Sequence, residues 1–215
     1  MCRSVVLRFI CKKFIQDMAQ TIVRSNLHVE YNPLFGTNKV KDWLQCIENE
    51  VNFFQTTVEI YGKQLKVKRQ HAAYGDDGLV YHFSGASVTA KPWLPFLKEI
   101  QQKLWKLTNE RFNYVLINKY VDGKDYISFH RDNETDLVAE SSIATISLGV
   151  VRDFILRKET KNGYGIHEEH KITVPLSHGS LLIMKHPTNK YWLHSVPVRK
   201  TCKQTRYSLT FRHLK

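Results

Sequence analysis

The tripeptide His130-Arg131-Asp132 can present two metal ligands side by side. In an extended segment, residues i and i+2 project to the same side, so the imidazole and the carboxylate can reach one ion. His194, in the segment YWLHSVPV, is our candidate for a third ligand. Two histidines and one carboxylate form the facial ligand set of non-haem Fe(II) oxygenases, which leaves positions open for a co-substrate and O₂.

A histidine and an aspartate at this spacing are weak evidence alone, because the chain contains 10 histidines and such pairs arise by chance. We interpret the remaining histidines as structural or surface residues unless other evidence assigns them a role. They include His71, His82, His167, His170, His178, His186 and His213. The metal-site prediction therefore depends on a second group of residues near the C-terminus.

A strand over residues 206–212 would separate polar from apolar side chains onto two faces. The polar face carries Arg206, Ser208, Thr210 and Arg212, and the apolar face carries Tyr207, Leu209 and Phe211. If the polar face lines a barrel, its two arginines need anionic partners, because an unpaired buried charge is costly. A dicarboxylate bound beside the metal would supply both, since the guanidinium fork suits carboxylates. An edge strand with solvated arginines is the alternative for this segment taken alone.

The C-terminal half predicts a β-rich fold. Eight short β-rich runs follow one another, and helical patterns occur only before them, which favours a double-sheet barrel or jelly roll. The runs are FNYVLINKY, YISFH, IATISLGV, DFILR, HKITVPL, SLLIMKH, YWLHSVPV and RYSLTFRHL. The predicted fold class is mostly β with flanking helices (α+β).

The N-terminal half predicts helices and a hairpin. We expect a helix over residues 4–24, a helix that begins after Thr37 as N-cap, and a helix within 91–107 that starts at Pro95. The segment TTVEIYGKQLKVKRQ predicts a β-hairpin with its tip at Tyr61-Gly62-Lys63. We expect an N-terminal helical extension packed on the core over residues 1–55, a catalytic domain over 56–215, and a nucleic-acid-binding hairpin within 56–85.

The composition favours a globular protein with a polyanionic partner. With 42% hydrophobic residues the chain can bury a substantial core, and its formal net charge of +12 favours nucleic acid. No apolar run approaches the length of about 20 residues that a membrane span needs. The four cysteines form no CxxC pair, which fits a reducing compartment. The basic, acid-free residues 1–14 fit either a mitochondrial targeting stretch or an amphipathic helix.

The HxD motif, a later histidine and the RxxxxxR motif, in this order, resemble the AlkB family. The resemblance covers about residues 58–212 and continues through NYVLINKY, YGDDGLVYHFSG, SLGVVRDFILR and HGSLLIMKHPTNKYWLHSVPVRK. It is strongest to the animal homologue that acts on double-stranded DNA. The resemblance implies a double-stranded β-helix with Fe(II) held by His130, Asp132 and His194. It also implies 2-oxoglutarate and O₂ as co-substrates, with release of succinate, CO₂ and formaldehyde.

The same resemblance assigns the co-substrate pocket. Arg206 would pair with the far carboxylate of 2-oxoglutarate, with help from Asn118 and Tyr120. Thr210 and Arg212 would complete the pocket. Ser208 stands where the family usually has asparagine, so we expect an altered affinity for the co-substrate rather than a loss of activity.

The resemblance also assigns residues that bind the nucleic acid. An enzyme that acts on a base within a duplex must flip it out of the stack, and Tyr61 matches the family's hairpin wedge. A tyrosine packed in a β-turn is the alternative. The flipped base would lie between Phe83 and His130, near Tyr81. The full predicted set is Tyr61, Gly62, Lys63, Arg69, Tyr81, His82, Phe83, Asn133, Glu134, Arg199 and Lys200. Further expected phosphate contacts are Lys66, Lys68 and Lys203.

We therefore predict a DNA-repair dioxygenase that demethylates 1-methyladenine and 3-methylcytosine in double-stranded DNA. Asn133 replaces the family's acidic residue after HxD, so the range of lesions can be broader or shifted. An RNA demethylase is one alternative, which Tyr61 argues against. A protein or small-molecule hydroxylase is another, which the basic charge argues against, and a catalytically dead binding module is a third. We expect a monomer without membrane attachment, located in the nucleus or another compartment that contains DNA.

Overall fold

A computed structural model of the protein describes residues 19–55, 57–60, 63–83, 86–160, 163–164 and 170–215. All eight C-terminal β-rich runs form strands, so that prediction is confirmed. These strands are β9 Tyr114–Tyr120, β10 Ile127–His130, β11 Ile143–Gly149, β12 Arg152–Thr160, β14 Lys171–Leu176, β15 Ser180–Lys185, β16 Trp192–Val196 and β17 Arg206–Arg212; β13 is the short Gly163–Tyr164.

Before β9, the described part of the chain forms two helices and eight strands, and a one-turn helix follows later. The strands are β1 Gln20–Arg24, β2 Leu27–Asn32, β3 Thr57–Ile60, β4 Lys63–Lys66, β5 Gln70–Gly75, β6 Val80–Phe83, β7 Ala86–Thr89 and β8 Lys91–Pro92. The helices are α1 Val40–Glu50, α2 Pro95–Thr108 and α3 Thr188–Tyr191. The predicted start of α2 at Pro95 is confirmed.

Two antiparallel sheets form the jelly roll. The larger has the order β1-β2-β15-β11-β17-β9-β5-β8, in which only β5 and β8 pair in parallel. The smaller has the order β10-β16-β12-β13, and β14 also pairs with β12. Apolar side chains from both sheets, such as Met184 of the larger and Leu156 of the smaller, meet in one buried cluster. This face-to-face packing confirms the predicted double-sheet architecture.

The two long helices cover the other face of the larger sheet. Trp43 and Ile47 of α1 and Leu97 of α2 belong to one buried cluster with Leu209 and Phe211 of β17. Burial of each such side chain contributes about 1.5–3 kcal/mol, so the apolar face of β17 holds the helices to the sheet. The polar face of the same strand is thereby directed into the barrel, as the alternation predicts.

The predicted N-terminal helix is wrong over residues 20–24, which form β1. Residues 4–18 of that prediction lie outside the described part of the chain. Leu27, Val29 and Tyr31 are buried at alternate positions of β2, and β2 pairs with β15. The period of two between these apolar residues is that of a strand, so the segment extends the larger sheet instead of forming a helical extension.

The N-cap of α1 is Lys39 rather than the predicted Thr37. The Thr37 hydroxyl donates a hydrogen bond to the carbonyl of Leu34 at 2.6 Å, inside the preceding turn. Serine and threonine commonly bond to nearby backbone groups in this way, and here the turn competes successfully with the cap.

Two hairpins stand beside the larger sheet. β3 pairs with β4 as predicted, although the tip residues 61 and 62 lie outside the described part. β6 pairs with β7, and Tyr81 and Val88 pack against Tyr114 of β9. Among the described residues, no helix has the length and apolar character needed to cross a membrane.

Candidate metal centre and co-substrate pocket

The register between β10 and β16 places the two predicted histidine ligands directly opposite each other. Their imidazole rings lie on the same face with centroids 4.2 Å apart, and Asp132 follows two residues after His130. The Asp132 Oδ1 atom lies 3.4 Å from Nε2 of His130 and 3.8 Å from Nε2 of His194. Ligands about 2.1 Å from one ion and at right angles lie about 3 Å apart, so the three atoms need only small adjustments to hold a metal.

The hydrogen bond of His130 and the lowered pKa of His194 both suit metal binding. Nδ1 of His130 lies 2.9 Å from the carbonyl of Ser128, and donation to that carbonyl leaves the Nε2 lone pair for the ion. Burial, together with a smaller effect of the neighbouring His130, lowers the pKa of His194 to about 3, so His194 is neutral at physiological pH. Phe154 stacks on the His194 ring at 5.3 Å and fixes its orientation.

Asp132 is held as a carboxylate by an arginine. The Oδ2 atom accepts hydrogen bonds from Nε and Nη2 of Arg212 at 3.0 and 2.5 Å. Burial by itself raises the pKa of Asp132, but Arg212 and the hydrogen bond with His130 together hold it well below its usual value. Oδ1 therefore remains charged and directed towards the histidines. Asp132 thus supplies an anionic partner for Arg212 within the protein, and the predicted contact of Arg212 with the co-substrate stays a prediction.

Asn189 also positions Asp132, a role that was not predicted from the sequence. Its Oδ1 accepts a hydrogen bond from the backbone N–H of Asp132 at 3.1 Å, and its Nδ2 donates to the backbone carbonyl of the same residue. Asn189 lies in α3, whose Thr188 is tied to both backbone groups of His28 at 2.7 and 2.9 Å. A single asparagine in a turn carries no pattern from which such a role could be predicted.

Arg206 is suited to bind the carboxylate of a ligand. It is 1% exposed, and its Nη2 donates to the hydroxyls of Ser147 at 2.9 Å and Ser208 at 3.3 Å. Its Nε and Nη1 atoms have no hydrogen-bond partner among the described residues. Burial lowers its pKa to about 10, but it remains charged at neutral pH. Two orphaned donors on a buried cation are the arrangement that a bidentate carboxylate satisfies.

The neighbouring strands supply the rest of this pocket. Arg206 is opposite Tyr120 of β9, and Ser208 is opposite Asn118 of β9 and Ser147 of β11. The pairing brings the predicted co-substrate residues to one wall, because directly paired residues share a face. Ser147 was not predicted, although strand alternation alone would have placed it on the inner face.

One cavity of about 780 Å³ joins these groups. This volume falls within the usual range of ligand sites. It extends from Arg206 past the metal ligands to the mouth of the barrel. Its polar lining includes Asn118, Tyr120, His130, Asp132, His194, Arg206, Ser208, Thr210 and Arg212, together with Tyr81, Asn133 and Glu134 of the predicted substrate set. The structure therefore places residues predicted to bind the metal, the co-substrate and the substrate around one cavity.

Tyr81 and Glu134 form a pair at the substrate side. The buried Tyr81 hydroxyl donates to Oε2 of Glu134 at 2.7 Å. Burial raises the pKa of both groups. His82 does not line this cavity; its backbone N–H and Nδ1 both contact Oδ2 of Asp136, at 2.8 and 2.9 Å. Its predicted contact with the nucleic acid stays a prediction. Tyr61, Gly62 and the side chains of Lys63 and Phe83 lie outside the described part of the chain.

The predicted phosphate-binding residues fall into two groups. Lys66, Lys68 and Arg69 line the cavity, and Nε of Arg69 donates to Oδ1 of Asn118 at 3.0 Å. Arg69 thus contacts Asn118 in the wall of the co-substrate pocket, and its predicted contact with a phosphate stays a prediction. The other group, Arg199, Lys200 and Lys203, is exposed in the loop between β16 and β17.

The comparisons with known proteins agree with this geometry. A family model described as the 2OG-Fe(II) oxygenase superfamily matches residues 29–212. The DNA oxidative demethylase ALKBH2 of Bos taurus is 43% identical over 194 residues, which cover 87% of this chain and 69% of that protein. The ALKBH2 of Homo sapiens is 43% identical over 192 residues, covering 87% and 74%. The solved structure of OsALKBH1 shares the fold, with a TM-score of 0.60 and 18% identity over 89% of this chain and 100% of that one.

The fold, the ligand triad and the family match define an Fe(II)- and 2-oxoglutarate-dependent dioxygenase. Fe(II), 2-oxoglutarate and O₂ are accordingly its cofactor and co-substrates, and the orphaned donors of Arg206 fit the second of these. Within this superfamily, the identity to ALKBH2 over most of the chain shows that the protein belongs to the AlkB family.

Proposed function

We propose that the protein repairs DNA by oxidative demethylation of alkylated bases, with 1-methyladenine and 3-methylcytosine as substrates. One observation carries this function. A single cavity joins a His-Asp-His triad to a buried arginine with two orphaned donors, and the same cavity opens on a basic rim. The relatives with 43% identity are named DNA oxidative demethylases, which supports the substrate class.

The roles of the residues follow from their positions. His130, Asp132 and His194 would hold Fe(II), and Arg206 with Asn118 would bind the far carboxylate of 2-oxoglutarate. The bound iron, with O₂, would oxidise the N-methyl carbon while 2-oxoglutarate is converted to succinate and CO₂, and the methyl group would leave as formaldehyde. The fold's contribution is to hold the three reactants in register and to shield them from water.

Tyr81 and Glu134 would orient the extracted base. The hydrogen bond from the Tyr81 hydroxyl fixes one oxygen of Glu134 at the cavity wall. A carboxylate accepts hydrogen bonds from the exocyclic amines of adenine and cytosine, so Glu134 can compensate for the replacement of an acidic residue by Asn133. The wedge role of Tyr61 remains a prediction, and it supports double-stranded DNA as the preferred form.

The location and assembly state are part of the same proposal. A repair enzyme must reach DNA, so we propose the nucleus or another compartment that contains DNA. We also propose that the protein acts as a monomer, because the described residues form a complete cavity within one chain.

The test measures formaldehyde release and the mass of the product base. The substrates are a duplex, a single-stranded DNA and an RNA, each with one 1-methyladenine or 3-methylcytosine, in the presence of Fe(II), 2-oxoglutarate and ascorbate. His194→Ala serves as the control because it removes one ligand. Repair of DNA by the wild type and none by His194→Ala would support the proposal.

The three substrates separate the alternatives. A duplex repaired at least as fast as the single strand supports double-strand action and the wedge. Repair confined to RNA would replace DNA repair with RNA demethylation. If no nucleic acid is repaired although the protein binds iron and converts 2-oxoglutarate, the proposed substrate class is wrong.

A further inference from the structure

An exposed tyrosine stands at the mouth of the cavity. Tyr126 is 36% exposed and lines the opening together with Lys66 and Lys68, which are both exposed. The ammonium group of Lys68 lies over the Tyr126 ring, 5.8 Å from its centroid. Exposed aromatic rings beside cations are the elements with which proteins bind the bases and phosphates of single strands.

The loop that presents Tyr126 is internally fixed. The carboxylate of Asp125, a buried residue, accepts a hydrogen bond from the backbone N–H of Val121 at 2.8 Å. Asp122 accepts from the backbone N–H of Lys124 at 2.7 Å through its side chain. A ring on such a loop can receive a base with little further loss of conformational entropy.

A buried arginine anchors this loop to the basic loop after β16. Arg152 is 1% exposed, and its guanidinium donates to the carbonyls of Asp122, Asp125 and Pro197 at 3.1, 2.9 and 2.7 Å. Three carbonyl acceptors satisfy most donors of the buried cation. They also connect the segment before Tyr126 to the segment before Arg199, so the two loops behave as one unit.

The two loops also contact each other through their backbones. The N–H of Arg199 donates to the carbonyl of Gly123 at 2.7 Å, and the N–H of Gly123 donates to the carbonyl of Cys202 at 3.0 Å. A Cβ atom at Gly123 would lie 1.8 Å from the carbonyl oxygen of Arg199, so only glycine permits this approach. The exposed Arg199 and Lys200 are thereby fixed relative to the Tyr126 ring.

We infer that Tyr126 is a stacking platform for a nucleotide next to the extracted base. In this subsite, Lys68 and the Arg199–Lys200 loop contact the phosphates on the two sides of the nucleotide that stacks on Tyr126. The inference rests on the proposed DNA substrate and adds a binding site for a second nucleotide of that strand. Stacking on the ring tolerates every base, because each base has a π-face, so the subsite would hold the strand without reading its sequence.

The experiment compares three short single-stranded oligonucleotides that each contain one 3-methylcytosine. The first is intact, and the other two have an abasic site directly 5′ or directly 3′ of the lesion. Stacking on one aromatic ring is worth about 5-fold to 100-fold in affinity. The wild type should therefore show a KM higher by about that factor for one of the two abasic oligonucleotides. Formaldehyde release gives kcat and KM.

The variants identify the ring that makes the contact. Tyr126→Ala should raise KM for the intact oligonucleotide by the same factor and should no longer discriminate between the intact and abasic forms. Tyr126→Phe keeps the ring and should retain the discrimination. The thermal unfolding midpoint of each variant shows whether the loop still folds.

The inference is overturned if Tyr126→Ala discriminates as the wild type does, or if it lowers kcat on all three oligonucleotides without changing KM. Fluorescence anisotropy with the same oligonucleotides measures binding without turnover. If the wild type binds the intact form more tightly than the abasic form but repairs neither, the proposed function fails while the stacking subsite stands. If repair proceeds without discrimination, only the subsite is refuted.

Discussion

Asn189→Ala should weaken metal binding, although Asn189 contacts no metal. Its side-chain amide bonds to both the N–H and the carbonyl of Asp132, a residue that is 4% exposed. Each buried polar group left without a partner costs about 1–3 kcal/mol, so loss of both bonds should lower the free energy of unfolding of the metal-free protein by about 2 to 6 kcal/mol. Removal of a group that orients a metal ligand typically costs about 10- to 100-fold in metal affinity.

The assay titrates Co(II) into metal-free protein and follows the visible absorption that the ligands induce. Co(II) is a stand-in for Fe(II) that does not start the reaction with O₂. Urea denaturation of the same metal-free samples gives their stability. Asn189→Ala should lose affinity for Co(II) by about 10- to 100-fold relative to the wild type.

Thr188→Val is the matched control. Thr188 is adjacent to Asn189 in α3, and valine has nearly the same side-chain shape as threonine. The substitution also removes two hydrogen bonds to backbone groups, in this case those of His28. Both variants should lose stability, but Thr188→Val should keep the affinity for Co(II) because the bonds to Asp132 remain. Unchanged Co(II) binding by Asn189→Ala, or an equal loss in Thr188→Val, would refute the positioning role.

Three further outcomes follow from the structure. Arg206→Lys should raise the KM for 2-oxoglutarate about 100-fold, because one ammonium group cannot replace two parallel donors; an unchanged KM would remove Arg206 from the pocket. Replacing Arg199 and Lys200 by alanine should reduce the slope of log affinity for duplex DNA against log salt by about 2, whereas Lys106→Ala on α2 should leave it unchanged. Burial lowers the pKa of His71 from 6.5 to about 4, so the unfolded state binds more protons and the free energy of unfolding falls as the pH decreases below 6.5. The loss is about 2 kcal/mol at about pH 5. Urea denaturation of His71→Asn should therefore show a free energy of unfolding that depends less on pH than that of the wild type.

The metal ligands could be predicted because their arrangement is largely local. An i, i+2 pair on an extended segment fixes the relative direction of His130 and Asp132 without knowledge of the fold. The third ligand, His194, needs only to lie on a strand that pairs with the strand of His130. The pairing of β10 with β16 meets this condition, because it places the two histidines directly opposite each other. The alternation along β17 likewise predicted which side chains face the cavity.

The N-terminal error has a different cause. Residues 4–24 mix apolar and basic positions without a dominant period, so a helix and a strand were both compatible with them. The following segment, Leu27–Asn32, has a clear period of two, and pairing of β1 with β2 then extends the sheet. Pairing with a neighbour decided the structure of β1, and a single segment does not contain that information.

Contacts between distant residues could not be predicted for the same reason. The bonds from Asn189 to Asp132 span 57 positions, and those from Arg69 to Asn118 span 49. Such contacts depend on which loops the fold brings together. A lone polar residue in a loop gives no indication of its partner, so residues that orient the ligands were missed while the ligands themselves were found.

The two arginines of β17 show how far alternation alone can lead. Six positions at about 3.3 Å each separate Arg206 from Arg212 by about 20 Å along the strand, so one face of one strand reaches both ends of the cavity. At the metal end Arg212 donates to the fixed carboxylate of Asp132, whereas at the other end Arg206 donates to the hydroxyls of Ser147 and Ser208. Alternation correctly predicted that both are buried and require anions. Only the fold shows that Arg212 has its anion within the protein, whereas Arg206 keeps two orphaned donors that fit the carboxylate of a co-substrate.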